Sequence, residues 1–316
     1  MTNGLMTPRH RKEMAKVDQT GRSRLRREQS IRFLFFSIAL ASITTLTLIV
    51  LFLFMEGLPI FSKVSVKDFL FGHYWYPTDD PPDFGIFPLI VASIAVTVVS
   101  SLISIPLGVM TAIYLAEVAS SRVREWVKPI VELLAALPSV VIGFFGMVIV
   151  APFLQRVLDV PTGLNLFNAS LMLAFMSVPT ICTISEDAIF SVPKELKEAS
   201  LALGATHWET IARVILPASL SGICTAVILG MSRAIGETMV VLMVAGGAAL
   251  VPHSLFDPVR PMPASIAAEM AEAPFRSDHY YALFATGIVL FAFTLLFNLV
   301  ADHVAHRYKQ VGAATL

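Results

Sequence analysis

Thirty-three consecutive residues, Phe84 to Ala116, carry no charged side chain. A soluble fold has little use for so long an uncharged run, whereas a bilayer requires about 20 apolar residues per helical span. Five further stretches are of span length and largely apolar: Phe33 to Met55, Leu133 to Gln155, roughly Ala169 to Ser185, roughly Val214 to Gly246 (which holds Arg233 and Glu237), and Tyr280 to Ala301. With 56% hydrophobic and 15% charged residues, the chain reads as an all-α polytopic membrane protein with six transmembrane helices. The run from Phe84 exceeds the hydrocarbon thickness, so it must tilt or kink, and Pro106 and Gly108 are the positions expected to let it.

Six spans place both termini on one side of the membrane. Seventeen Lys and Arg residues fall in segments on that side and five on the other, with Arg233 inside a span. The positive-inside rule then predicts cytoplasmic termini. The division that follows is a disordered basic tail over 1–30, a first transmembrane helix over 31–55 and an external loop over 56–84. A core domain of five helices covers 85–303, with a cytoplasmic loop at 191–213 and an external segment at 251–279, and a cytoplasmic tail covers 304–316. The first span is too long, and too far from the N-terminus, for a secretory signal.

The basic tail suits contact with anionic lipid rather than nucleic acid. In the external loop, Phe69, Phe71, Tyr74, Trp75 and Tyr76 read as an interfacial anchor. A short helix is expected over Ala264 to Ala273, with Glu269 and Glu272 presented to a partner. Cys182 and Cys224 lie within spans and read as packing residues. Glu117, Glu186 and Asp187 close their spans and are expected to face water. Asp302, His303 and His306 read as polar termination rather than metal ligands, and neither a metal nor a cofactor is implied. No phosphate-binding Gly-x-x-x-x-Gly-Lys-[Ser/Thr] loop occurs, so the chain is not expected to hydrolyse ATP, and no catalytic residue stands out.

Arg233 is the most telling charge. Nineteen uncharged residues precede it, and an arginine near mid-membrane costs roughly 2.5–3.5 kcal/mol on insertion scales, so it marks a function or a buried pair. Glu237 is four residues on, one turn along a continuous helix, and is the expected partner. A cation that is exposed in one state and neutralised in another suits the passage of an anion; a brace between helices is the plainer reading.

Ser191 to Pro217 is the most informative polar segment. Ser191 followed by Pro193 predicts a helix start, with Leu196, Ala199 and Leu203 on one face and Gly204 as its stop. Thr206-His207-Trp208-Glu209 predicts a second helix opened by a capping box. Two short helices around Gly204, presenting Leu203 and Trp208, make a surface for another protein to grip.

Glu198-Ala199-Ser200, Gly204 and Val214-Ile215-Leu216-Pro217, at the spacing found here, resemble the EAA loop of ABC-importer permeases. Ser200 and Val214 depart from the family pattern by small changes in size. Gly85-Ile86-Phe87-Pro88-Leu89-Ile90, Leu137 to Gly146, and Ser232-Arg233-Ala234-Ile235-Gly236-Glu237-Thr238 are similar to the phosphate-specific (Pst) permeases, especially the C-type subunit. The resemblance runs from about Gly85 to Val300. It implies a type I importer permease fold, with Glu198, Ala199, Leu203, Gly204 and Trp208 docking on a separate dimeric ATP-binding subunit. It also implies a second, PstA-like permease as partner, an extracytoplasmic phosphate-binding protein, a bacterial inner-membrane location, and a phosphate path containing Arg233, Glu237 and Thr238.

Sulfate and molybdate permeases share an arginine followed by Gly-Glu, so another tetrahedral oxyanion is the nearest alternative. A different class, a proton-coupled secondary transporter, would use Arg233 and Glu237 as a relay and requires internal inverted repeats. The sequence shows no such repeat.

Overall fold

A computed structural model describes residues 8–313 of the chain, with side chains over 28–300 and at 302 and 303. Among the described residues, six helices are long and apolar enough to cross a membrane: Glu28–Ser62, Phe87–Val118, Ser139–Leu158, Leu166–Phe190, His207–Ile235 and Asp278–Val300. The chain divides into two compact units, Met1–Met55 and Glu56–Leu316.

The first unit is helical. Helix α1 (Pro8–Gly57) covers most of the segment expected to be a disordered tail as well as the first span. Residues 9–57 lack proline and hold only two glycines, while Arg, Lys, Glu and Gln are frequent in the early part, so nothing breaks the helix before Leu58. The first seven residues of the expected tail lie outside the described residues.

The second unit opens with a 3₁₀ turn, Leu58–Ser62, and helix α2 (Val66–Phe71), whose first amides are capped by Ser65 Oγ accepting from Asp68 N at 3.0 Å. Strands β1 (Trp75–Tyr76) and β2 (Asp83–Phe84) form a small antiparallel hairpin. Helix α3 (Phe87–Ile113) starts with Pro88 in its first turn, where a missing amide costs nothing, and ends in a π turn over Tyr114–Val118. Pro106 lies inside this single helix.

Helix α4 (Ser121–Ala135) precedes the third span, which is built from α5 (Ser139–Phe145), a π turn (Gly146–Val150) and α6 (Ala151–Leu158). The expected start of that span at Leu133 therefore belongs to α4, because Pro138 separates the two. Helix α7 (Leu166–Phe190) is the centre of the unit; Asn165 caps it, accepting from Asn168 N at 2.9 Å.

Helices α8 (Lys194–Ala202) and α9 (His207–Thr210) form the expected pair. A π turn over Ile211–Ile215 carries α9 into α10 (Leu216–Ile235). Short helices α11 (Met239–Val244) and α12 (Met262–Glu269) follow, and α13 (Asp278–Ala313) closes the chain. The tail expected over 304–316 is thus helical through Ala313.

Packing between α3 and α7 uses small residues. Ala92, Ser93, Ser100, Ser104 and Gly108 are buried on α3, and Ala169, Ser170, Ala174 and Ser177 on α7. In lipid there is no hydrophobic gain from joining apolar helices, so close backbone approach supplies the attraction. The hydroxyls satisfy themselves locally: Ser93 donates to the Leu89 carbonyl at 2.9 Å, Thr97 to Ser93 at 2.8 Å and Ser170 to Leu166 at 2.8 Å.

Three apolar clusters divide the second unit along its length. One surrounds Val96, Met172, Val240 and Val244; one lies at the α2 end around Phe69, Trp75, Met262 and Leu283; one lies at the α8 end around Leu115, Ile189, Ile211 and Ile215. The aromatic anchor expected in the loop is therefore split. Phe69 and Trp75 are buried, while Phe71, Tyr74 and Tyr76 are exposed, because the loop folds onto Leu89 of α3, Met262 of α12 and Leu283 of α13 and shares one core with them.

Candidate functional site

The fifth span ends earlier than the expected stretch Val214 to Gly246. Helix α10 stops at Ile235, Gly236 forms a turn, and Glu237 and Thr238 connect it to α11 outside either helix. Gly236 is a poor helix former, and Glu237 offers the next helix something better than a continued turn. Its Oε1 accepts from the Val240 amide of α11 at 3.3 Å, and the Thr238 carbonyl accepts from Leu242 N at 3.0 Å. A carboxylate at a helix N-terminus meets both free amides and the positive end of the dipole.

Arg233 consequently does not form the expected ion pair. It occupies the last turn of α10, half-buried, and among the described residues its guanidinium has no carboxylate or hydrogen-bond partner. The break removed the i to i+4 geometry on which the pairing expectation rested. Neighbouring residues fix the helix that presents it. Ser232 Oγ donates to Asn298 Oδ1 on α13 at 2.6 Å, and Ser177 Oγ of α7 reaches the Gly230 carbonyl at 3.4 Å. Thr238 is half-buried, with its hydroxyl 3.4 Å from the Gly236 carbonyl. The structure thus places Arg233, Glu237 and Thr238 around one interruption of a span, with the cation free and the carboxylate engaged.

At the far end of the same helix lies the α8–α9 loop. Gly204 has φ +88°, the left-handed conformation that terminates α8, and its amide donates to the Leu201 carbonyl at 3.0 Å. Thr206 and Glu209 form the capping box, Thr206 N donating to Glu209 Oε2 at 2.9 Å and Glu209 N to Thr206 Oγ1 at 3.3 Å. Helix α8 starts at Lys194 with Pro193 as its N-cap, since Ser191 caps the end of α7 instead.

Glu198 and Ala199 are exposed, as are Leu203 at 90% and Trp208 at 67%. Two large apolar side chains this open, on a rigid hairpin next to a carboxylate, form an adhesive surface. Ser200, a departure from the family pattern, has its Oγ 3.0 Å from Thr210 Oγ1 and so ties α8 to α9.

Residues 104–310 match the family described as binding-protein-dependent transport system inner membrane component. The chain belongs to this family of ABC-importer permeases. The permease is 39% identical over 273 residues to the probable ABC transporter permease protein YqgH of Bacillus subtilis (strain 168), covering 86% of this chain and 88% of that one. It is 34% identical over 259 residues to the phosphate transport system permease protein PstC of Mesorhizobium japonicum, covering 76% and 78%. In fold it is similar to a bacterial ABC transporter involved in the import of the acidic polysaccharide alginate, with a TM-score of 0.63, 18% identity, and 90% and 99% of the two chains covered.

Several charged groups of the permease behave otherwise than their sequence positions imply. Glu186 is 1% exposed rather than solvated, and Lys128 of α4 lies 3.3 Å from its Oε2. Glu117 is likewise buried and paired with Lys197 of α8; only Asp187 is open to solvent. Glu269, expected at the surface, is a hub. Its carboxylate accepts from Trp75 Nε1 at 2.9 Å and Ser265 Oγ at 2.9 Å, lies 2.9 Å from His279 Nε2, and pairs with Arg260. Arg260 also donates through Nε to the Gly247 carbonyl at 2.6 Å. Beside the hub is a cavity of 530 Å³ bounded by Trp75, Tyr76, Arg260, Glu269, Glu272 and His279. Trp75 is 194 residues from Glu269, and Lys197 is 80 from Glu117, so no local pattern announces these contacts.

Proposed function

We propose that the permease imports inorganic phosphate across the bacterial cytoplasmic membrane as the translocation subunit of an ATP-driven complex. Arg233 carries this reading: a half-buried intramembrane guanidinium with no carboxylate partner, at the break of span five. Phosphate bears one or two negative charges near neutral pH, and a guanidinium matches its oxygens with a planar fork of donors. The cost of holding an arginine inside a membrane protein is offset when an anion enters beside it.

Glu237 and Thr238 stand on the connection between α10 and α11, where they border the path. With Glu237 held by the α11 amide, Arg233 is available; a carboxylate near by keeps the site from binding phosphate too tightly to release it. The relatives named PstC favour phosphate over sulfate or molybdate. A proton relay through Arg233 and Glu237 requires their contact, which the break interrupts.

ATP hydrolysis belongs to a separate dimeric subunit docked on Glu198, Ala199, Leu203, Gly204 and Trp208. A PstA-like second permease completes the membrane part, and a phosphate-binding protein delivers substrate to the segments 56–84 and 251–279. Both termini then lie in the cytoplasm, as the Lys and Arg distribution requires.

The test is uptake of radiolabelled phosphate by cells carrying the permease and its partner subunits, with sulfate and molybdate as competitors. Phosphate uptake that is lost in Arg233→Gln and indifferent to excess sulfate or molybdate supports the reading. Uptake blocked by those anions reassigns the substrate.

A further inference from the structure

The loop that receives the ATPase touches the membrane spans by three routes. Two are continuous chain: α7 leads through Ser191 to Pro193 into α8, and α9 passes through its π turn into α10. The third is a single ionic contact, Lys197 of α8 with Glu117 in the π turn that ends α3, and it joins the loop to a span that is not its neighbour in sequence. Among the described residues, no other ion pair or hydrogen bond from a side chain of α8 or α9 reaches a span that the loop does not itself adjoin. The Glu117 side chain is 7% exposed and that of Lys197 22%. A pair this sheltered is screened far less than a surface bridge, and loss of one partner leaves a buried charge behind.

The receiving end is rigid. The π turn leaves the carbonyls of Leu115 and Ala116 without helical partners, and Arg124 of α4 supplies them, its Nε lying 2.8 Å from the Leu115 oxygen and its Nη2 2.8 Å from that of Ala116. The Arg124 guanidinium also lies 4.4 Å over the ring of Phe190, at the end of α7. From Glu117, α3 runs about 13 Å to Gly108, at 1.5 Å per residue. There Ile181 of α7 fills the space that a side chain would need: a Cβ on Gly108 would lie 2.7 Å from Ile181 Cγ2. The same isoleucine fills the place of a Cβ on Gly230, 2.5 Å from its Cγ1. Gly230 is three residues before Arg233.

We infer that Glu117 and Lys197 form a transmission strut, by which displacement of α8 moves the inner part of α3 together with α10. Neither residue touches substrate, so both are positioning residues. The inference rests on the reading of α8–α9 as the ATPase-docking loop. A contiguous packed route from the strut to Arg233 exists through Ile181, and coupling along such a route is what an uncoupled variant measures.

The experiment uses the whole transporter, permease with its ATPase, second permease and binding protein, reconstituted in phospholipid vesicles. Inorganic phosphate is the transported probe, and phosphate moved per ATP hydrolysed is the readout. Lys197→Met and Glu117→Gln should each keep the ATPase bound and hydrolysing, while phosphate per ATP falls roughly three- to thirty-fold. The exchange Glu117→Lys with Lys197→Glu should restore the ratio. An unchanged ratio in both single variants overturns the strut, as does an exchange no better than the singles. Release of the ATPase by Lys197→Met also overturns it, since Lys197 then belongs to the docking face. Leu203→Asp tests the underlying reading separately: if that variant keeps its ATPase and transports normally, the loop is not the docking surface and both ideas fall.

Discussion

Arg233 and Glu237 lie on opposite sides of the break at Gly236, and the Glu237 carboxylate accepts from the Val240 amide at 3.3 Å instead of meeting the guanidinium. Four residues of separation suffice for an ion pair only while the helix continues. The cation is thereby free in the state described, which is the state an incoming anion requires.

Arg233→Gln should sharply lower phosphate uptake without reducing the amount of permease in the membrane. Loss of charged hydrogen bonds worth about 1.5–3 kcal/mol lowers uptake by roughly one to two orders of magnitude. Adding Glu237→Gln should not rescue it, because the two side chains are not paired. Recovery of uptake in the double variant, measured with radiolabelled phosphate, would show the residues to be a brace.

Gly204→Val should release the ATPase. Gly204 has φ +88° and open space where its Cβ would stand, so the cost is purely conformational, of the order of 1–3 kcal/mol, and heavier for a β-branched side chain. Co-purification of the ATPase with tagged permease reads the effect. A normal yield of ATPase with normal uptake would remove Gly204 from the coupling turn.

Gly230→Ala should destabilise the permease by about 1–3 kcal/mol through overpacking against Ile181. Ile181→Ala in the same chain should recover much of the loss, since it empties the volume that the new methyl needs. Thermal unfolding in detergent measures both; equal Tm for single and double variants would mean that the helices shift apart instead.

Glu272 and Glu269 should differ as crosslinking positions. Glu272 is exposed, whereas the Glu269 side chain is 13% exposed and spoken for by Trp75, Arg260, Ser265 and His279. A photocrosslinker at Glu272 should capture the binding protein when phosphate is present. At Glu269 it should instead lower the Tm, because truncating the hub strands the Arg260 cation. Capture from Glu269 with an unchanged Tm would contradict the hub.

Much of the permease is legible from local pattern. Uncharged runs of span length locate six helices because a bilayer tolerates no unsatisfied backbone, and that rule acts residue by residue along the chain. The α8–α9 hairpin is legible for a similar reason: a capping box and a left-handed glycine are contacts between neighbours, so Thr206, Glu209 and Gly204 are found where the sequence predicts them.

What tertiary structure decided is the fate of the charges. Apolarity alone cannot distinguish one long helix from two helices meeting at Gly236, because both satisfy the bilayer; α11 packs against α5 and α7, and that packing ends span five at Ile235. Glu117 with Lys197, Glu186 with Lys128 and Glu269 with Arg260 and Trp75 are buried or sheltered partners brought from separate elements. A charge next to the end of an apolar run reads as solvated because water is its cheapest partner in an isolated helix. Only once helices pack does another side chain arrive to replace that water, and the sequence carries no periodicity by which to foresee it.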